Sequence, residues 1–249
     1  MKHIIIWTLA LGGLWAQSRS LPADTMVVTL HKTTILGEKV EYRASTGTQP
    51  VWNDEGNPIA AVHYTYYERT DIKKQNNRPI MISFNGGPGS GSVWMHLAYT
   101  GPMILNVDDE GFPVQPYGVK SNPYSILDVA DIVFVNPVNT GYSRIVDKEV
   151  KKETFFGVNA DIKYLAEWIN TFIQRVNRWE SPKYLIGESY GTTRVSGLAG
   201  ALQGRQWMYL NGVILVSPTE LGIDSGSGRR AGPVGAALRV PYFTAAALY

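Results

Sequence analysis

The sequence predicts an α/β fold with a mainly parallel sheet that is covered on both faces. Three observations lead there. Four short runs, Ile80–Phe84, Ile132–Val135, Tyr184–Ile186 and Val213–Val216, are apolar at nearly every position. Strands this apolar on both faces belong to a sheet with layers on either side. Between the second and third runs, Ile162, Leu165, Ala166, Ile169, Phe172, Ile173 and Val176 recur at helical spacing. Strand, helix, strand in that order is a βαβ crossover, the unit of a doubly wound sheet.

Ahead of these runs, Met26–Leu30, Lys39–Ala44 and Ala60–Tyr67 are rich in Val, Thr and Tyr, and Gly37-Glu38 and Asn53–Asn57 separate them. β-branched and aromatic segments punctuated by Gly and Asn predict an antiparallel meander at one edge of the sheet. The polar run Asp71–Arg78 is expected to be a loop. On the crossover helix, Asp161, Lys163, Glu167, Asn170 and Gln174 are assigned to the solvent face. A second helix is expected over Thr192–Leu202, with Val195, Leu198, Ala199 and Leu202 on its inner side.

At the start of the chain, Lys2 and His3 precede the apolar run Ile4–Leu14, and Ala16-Gln17-Ser18 follows. A basic start, a short apolar stretch and small residues make a signal peptide, here residues 1–18 with cleavage expected after Ser18. The run is too short to span a bilayer, which takes about 20 residues as a helix. An exported protein, secreted or periplasmic, without lasting membrane association is expected. The formal net charge is +2 with both signs interspersed, so no basic stripe points to nucleic acid. The absence of Cys excludes disulfides, thiolate metal sites and a cysteine nucleophile.

Chemistry enters at Gly187-Glu188-Ser189-Tyr190-Gly191, a G-x-S-x-G sequence between the third apolar run and the second helix. In a chain with 25 Gly the pattern alone is weak. Strand, sharp turn and helix around it are what a nucleophile elbow requires. The flanking glycines permit the turn, and the helix N-terminus favours developing negative charge. An acyl-transfer enzyme also needs two N–H donors for its oxyanion. One would come from Tyr190, the other from the Gly-rich segment Asn85-Gly86-Gly87-Pro88-Gly89 after the first apolar run.

Phe84–Ser90 resembles the N-G-G-P-G signature of the serine carboxypeptidases, the carboxypeptidase Y-like family. Gly101-Pro102, Asn122–Ser125, Asn136–Ser143 and Gly187–Gly191 follow in that family's order, so the resemblance runs from about residue 78 to 218. Its cysteine-free character is similar to the bacterial branch. The resemblance implies an α/β-hydrolase fold and a serine-type exopeptidase that needs no cofactor or metal and takes a peptide as substrate. It implies Ser189 as nucleophile, Gly87 and Tyr190 as oxyanion donors, and Asn85, Gly86 and Glu188 as the site for the peptide's terminal carboxylate. Better-known members carry a glutamate two residues before the Gly-Pro, where this chain has Tyr99. A tyrosine hydroxyl can donate at physiological pH, and Tyr99 is the candidate to complete that site.

The triad order in this fold is Ser, then Asp or Glu, then His. His31, His63 and His96 all precede Ser189, and the only Asp after it is Asp224. The chain stops in the apolar stretch Thr244–Tyr249, after a cap segment expected to begin near residue 222. Residues 19–249 are therefore expected to be the N-terminal part of one longer hydrolase domain, inactive alone. An acyltransferase or esterase on the same scaffold, or a peptide-binding module without catalysis, are the alternatives.

Overall fold

The computed structural model describes residues 22–73 and 75–218. The expected signal segment, Asp224 and the expected cap lie outside these residues. Strand β1 (Thr25–Ile35) turns into β2 (Glu38–Trp52), which turns into β3 (Pro58–Arg69). The first turn is Leu36-Gly37, with φ of 50° and 85°, closed by the pairing of Ile35 with Glu38. A two-residue hairpin whose right-handed twist matches its strands needs positive φ at both central positions, which is why Gly stands there. The second turn is capped by Asn53, whose Oδ1 accepts from the Asn57 amide at 2.8 Å. All three strands are longer than the sequence predicts, because cross-strand pairing carries them through polar positions that carry no strand signal of their own.

The rest of the chain adds β4 (Ile80–Phe84), β5 (Met103–Leu105), β6 (Val119–Ser121), β7 (Asp131–Val135), β8 (Arg144–Ile145), helix α1 (Val158–Arg175), β9 (Lys183–Glu188), helix α2 (Tyr190–Gln206) and β10 (Gly212–Val216). The main sheet runs β1-β2-β3-β7-β4-β9-β10. β1, β2, β3 and β7 are antiparallel neighbours. From β7 through β4 and β9 to β10 all neighbours are parallel. The short β8 pairs with β3, and β5 and β6 form a separate ribbon. This is the fold class the sequence predicts, with one refinement: the β7–α1–β9 crossover passes over β4, which lies between its two strands.

Every residue of β4 and β7 is buried. Ile80, Ile82, Phe84, Val133 and Val135 face the helix layer, packing with Leu165, Trp168, Ile169 and Phe172 of α1 and Val195, Leu198 and Leu202 of α2. Met81, Ile132, Phe134 and Ile186 point to the opposite face against Met95, in a π-helical turn over Met95–Thr100. The pleat sends successive side chains to opposite layers, so a strand covered on both faces is apolar throughout. Gln49 and Trp168 exchange side-chain-to-carbonyl hydrogen bonds at 2.9 and 3.2 Å, tying β2 to α1.

One assignment is corrected. Asp161 is not on the solvent face of α1. It is 6% exposed and lies on the same stripe as Tyr164, Leu165 and Trp168. It can be there because Arg194 of α2 neutralises it at 2.7 Å.

Candidate active site

The site forms at the carboxyl ends of the parallel strands, where β4 and β9 stop side by side with Phe84 opposite Gly187. Ser189 makes the turn from β9 into α2 alone, with φ 55° and ψ −123°. A side-chain-bearing residue seldom takes that conformation, so the surroundings must impose it. A Cβ on Gly187 would lie 2.2 Å from the Gly191 carbonyl oxygen, and one on Gly191 2.9 Å from that of Phe84. Both positions must be glycine for strand and helix to meet this tightly. The Ser189 amide donates to the Val216 carbonyl at 3.0 Å, and the Ser189 carbonyl accepts from the Thr192 hydroxyl at 2.7 Å. The backbone on both sides of the nucleophile candidate is thus anchored.

The Gly-rich loop closes on the same point. Gly86 is buried against the elbow: a Cβ there would sit 2.5 Å from the Tyr190 nitrogen and 2.7 Å from the Ser189 Cβ. Gly87 follows with φ 85° and is exposed. The segments that hold the two candidate donors, Gly87 and Tyr190, therefore meet beside Ser189. Asn85 is 1% exposed, and both ends of its side-chain amide are bonded. Its Oδ1 accepts from the Met95 amide at 3.0 Å, and its Nδ2 donates to Glu188 Oε2 at 3.1 Å. The structure brings Ser189, Tyr190, Glu188, Asn85, Gly86 and Gly87 into one cluster.

Tyr99 stands apart from that cluster in its bonding. It is 58% exposed, and its backbone carbonyl accepts from Asn122 Nδ2 at 3.0 Å. Among the described residues no hydrogen bond joins the Tyr99 hydroxyl to Glu188. The three histidines among the described residues are engaged elsewhere. His31 bonds Thr29 at 2.7 Å. His63 lies between Thr46 and Asn136, each at 3.2 Å. His96 bonds the Tyr67 hydroxyl at 2.7 Å and stacks on Phe134. Burial holds His63 below the ordinary imidazole range. It pushes His96 down to about 4, helped by the charge of His63. Among the described residues no His/Asp/Glu group is arranged to hold a metal ion, and no helix is long and apolar enough to cross a membrane.

Sequence reasoning passed over two residues that touch this cluster. Arg194, 2% exposed, donates to the carbonyls of Asn85 at 2.9 Å and Pro88 at 3.3 Å. Ser92 fastens the end of the Gly-rich loop to its neighbours. Its amide donates to Asn136 Oδ1 at 2.8 Å, and its hydroxyl donates to the Val135 carbonyl at 2.5 Å.

A strand–elbow–helix at the carboxyl edge of a mainly parallel sheet defines an α/β-hydrolase. Within that class the serine carboxypeptidase family model matches residues 38–218, and the chain belongs to that family. It is 29% identical over 170 residues to serine carboxypeptidase-like 36 of Arabidopsis thaliana, covering 65% of this chain and 32% of that protein. It is 27% identical over 144 residues to the vitellogenic carboxypeptidase of Aedes aegypti, covering 54% of this chain and 27% of that one. Among solved structures it superposes on the prohormone-processing carboxypeptidase Kex1(Δ)p of Saccharomyces cerevisiae with a TM-score of 0.51 and 20% identity, over 70% of this chain and 38% of that one. The chain spans about a third of the length of the curated relatives it matches.

Proposed function

We propose that this chain carries the nucleophile and oxyanion half of an exported serine carboxypeptidase. Ser189 Oγ attacks the carbonyl carbon of the last peptide bond. The tetrahedral oxyanion is received by the N–H groups of Gly87 and Tyr190, and collapse expels the terminal amino acid and leaves an acyl-enzyme for water to hydrolyse. Asn85, Gly86 and Glu188 recognise the substrate's terminal carboxylate. The base His and its orienting Asp are assigned to the part of the protein that relatives contain and this chain does not. The observation that carries this reading is the close approach of Gly86 to the elbow, where a Cβ would fall 2.5 Å from the Tyr190 nitrogen and 2.7 Å from the Ser189 Cβ. It sets the two donor segments on either side of one strained serine.

Labelling of the full-length protein with a fluorophosphonate, and cleavage of a blocked dipeptide and of the same dipeptide as its C-terminal amide, tests the proposal. Label at Ser189 is expected, with the acid cleaved and the amide spared. Ser189→Ala should remove both label and turnover, a loss on the order of 10⁴–10⁶-fold if the triad acts as a unit. Equal cleavage of acid and amide would favour an esterase or acyltransferase. Peptide binding without label would favour a non-catalytic module.

A further inference from the structure

Arg194 lies one helical turn after Tyr190, on the inner side of α2, and is 2% exposed. A charge that deep must be matched by acceptors, and each guanidinium nitrogen has one. Nε donates to Asp161 Oδ2 of α1 at 2.7 Å, Nη1 to the Asn85 carbonyl at 2.9 Å and Nη2 to the Pro88 carbonyl at 3.3 Å. The guanidinium lies over the rings of Phe84 and Tyr190, with centroids 5.6 and 5.1 Å from its central carbon.

The two carbonyls it grips bracket the Gly86-Gly87 pair. The peptide between those glycines carries the Gly87 N–H at one end and the Gly86 carbonyl at the other, and that carbonyl accepts from the Ser90 amide at 3.4 Å. Glycines have no side chains to hold a peptide plane, and two in succession leave the donor's direction to its neighbours. The fork fixes the Asn85–Gly86 peptide just before the pair and the Pro88–Gly89 peptide one residue beyond it. Arg194 also rises from the helix whose first N–H, that of Tyr190, is the second donor. One side chain therefore sets the loop donor against the helix donor.

We propose that Arg194 is a positioning residue of the oxyanion hole, its fork clamping the Gly-rich loop to α2 at the separation the tetrahedral oxyanion needs, with Asp161 holding the fork in plane. The inference rests on the reading of Ser189, Gly87 and Tyr190 given above. The role requires arginine: a lysine offers one nitrogen where three directions are needed. Because donors aimed at an oxyanion act on the transition state and not on the bound substrate, a loosened clamp lowers kcat and leaves KM.

The test compares full-length parent, Arg194→Lys and Asp161→Asn. Rates are expressed per site titrated with fluorophosphonate, so that unfolded protein does not count. Inhibition is measured with a peptide aldehyde, which forms a tetrahedral adduct, and with the free amino acid product, which does not. Removing an oxyanion donor costs 10²–10³-fold in kcat, and misaiming one by Arg194→Lys is expected to cost roughly 10²-fold. KM and product inhibition should be unchanged, and aldehyde affinity should fall in parallel with kcat. Asp161→Asn keeps Arg194 in place and weakens its tether, so a loss of about tenfold with the same split is expected. It carries the test if Arg194→Lys does not fold. A parent-like kcat per site and parent-like aldehyde affinity in either folded variant would overturn the clamp while leaving the carboxypeptidase reading intact. A parent protein that is not labelled at Ser189 would overturn both.

Discussion

His96 shows how much a single half-buried residue does here. It stacks on Phe134 at 4.4 Å, bonds the Tyr67 hydroxyl, and is pushed down to about 4 from the ordinary 6.5. Between those values the unfolded chain holds the imidazole proton and the folded chain does not. Unfolding then takes up protons, so His96 costs nothing above pH 6.5 and lowers stability as pH falls from 6.5 towards 4. The loss expected is on the order of 1–3 kcal/mol. Denaturant midpoints measured across this range should fall, and His96→Gln, which keeps a partner for Tyr67, should flatten the curve. A variant as steep as the parent would show that other groups set the slope. Legibility at this scale divides by the kind of atom that does the work. The tight turn at Ser189 and the approach of the Gly-rich loop to it could be read from the sequence because close backbone packing demands glycine around a strained serine. Arg194 could not, since an isolated arginine on a helix usually marks a solvated face. The available signal was its position: Arg194 lies one turn before Leu198, on the stripe that packs inward.

Elements meet through surfaces the sequence describes only in part. α1 and α2 were legible because their inner stripes recur at helical spacing, and the parallel strands because they are apolar throughout. The place of β4 between β7 and β9 was not, because strand order is fixed by long-range pairing and not by neighbours in sequence. Asp161 was misplaced for a similar reason: its residue type suggested solvent, while its spacing from Tyr164 and Leu165 put it inside. The α1–α2 contact itself turns on Gly197. A Cβ there would lie 2.1 Å from Ile162 Cδ1, whereas one on Gly200 meets nothing within 4 Å. The same substitution should therefore have opposite signs one turn apart. Gly197→Ala overpacks the crossing and should cost about 1–3 kcal/mol. Gly200→Ala removes backbone freedom from an exposed helical position and should stabilise by up to about 1 kcal/mol. Thermal unfolding of the two variants side by side checks this; equal signs would mean that Ile162 yields and the crossing is not tight.

Across the whole molecule, the antiparallel and parallel halves of the sheet are joined far from the chemistry. Asp131 opens β7 and is fully buried. Its Oδ1 accepts from the Arg69 amide at the end of β3 and from Arg78 Nε ahead of β4, at 3.0 and 2.8 Å. Its Oδ2 accepts from Gln75 at 2.7 Å and from Arg178, between α1 and β9, at 2.5 Å. Arg178, 1% exposed, also reaches Tyr66 of β3 at 2.8 Å and the Arg78 carbonyl at 2.6 Å. One carboxylate thus collects β3, β4, β7 and the entry to β9. None of this was legible in the sequence, where Arg78, Asp131 and Arg178 are distant and each reads as a surface charge. It sits at the amino ends of the parallel strands, and Ser189 sits past their carboxyl ends. Four residue steps at about 3.3 Å place the network roughly 13 Å away along β7. Stability and catalysis should therefore separate. Asp131→Asn leaves Arg178 buried beside a neutral amide, and removing one partner of such a pair costs about 3–5 kcal/mol. The variant should melt well below the parent, yet in the cold its full-length form should turn over at a parent-like rate per fluorophosphonate-titrated site. If that rate falls along with the melting point, strain at the far edge is transmitted through the strands to the elbow, and the two ends of the sheet are coupled.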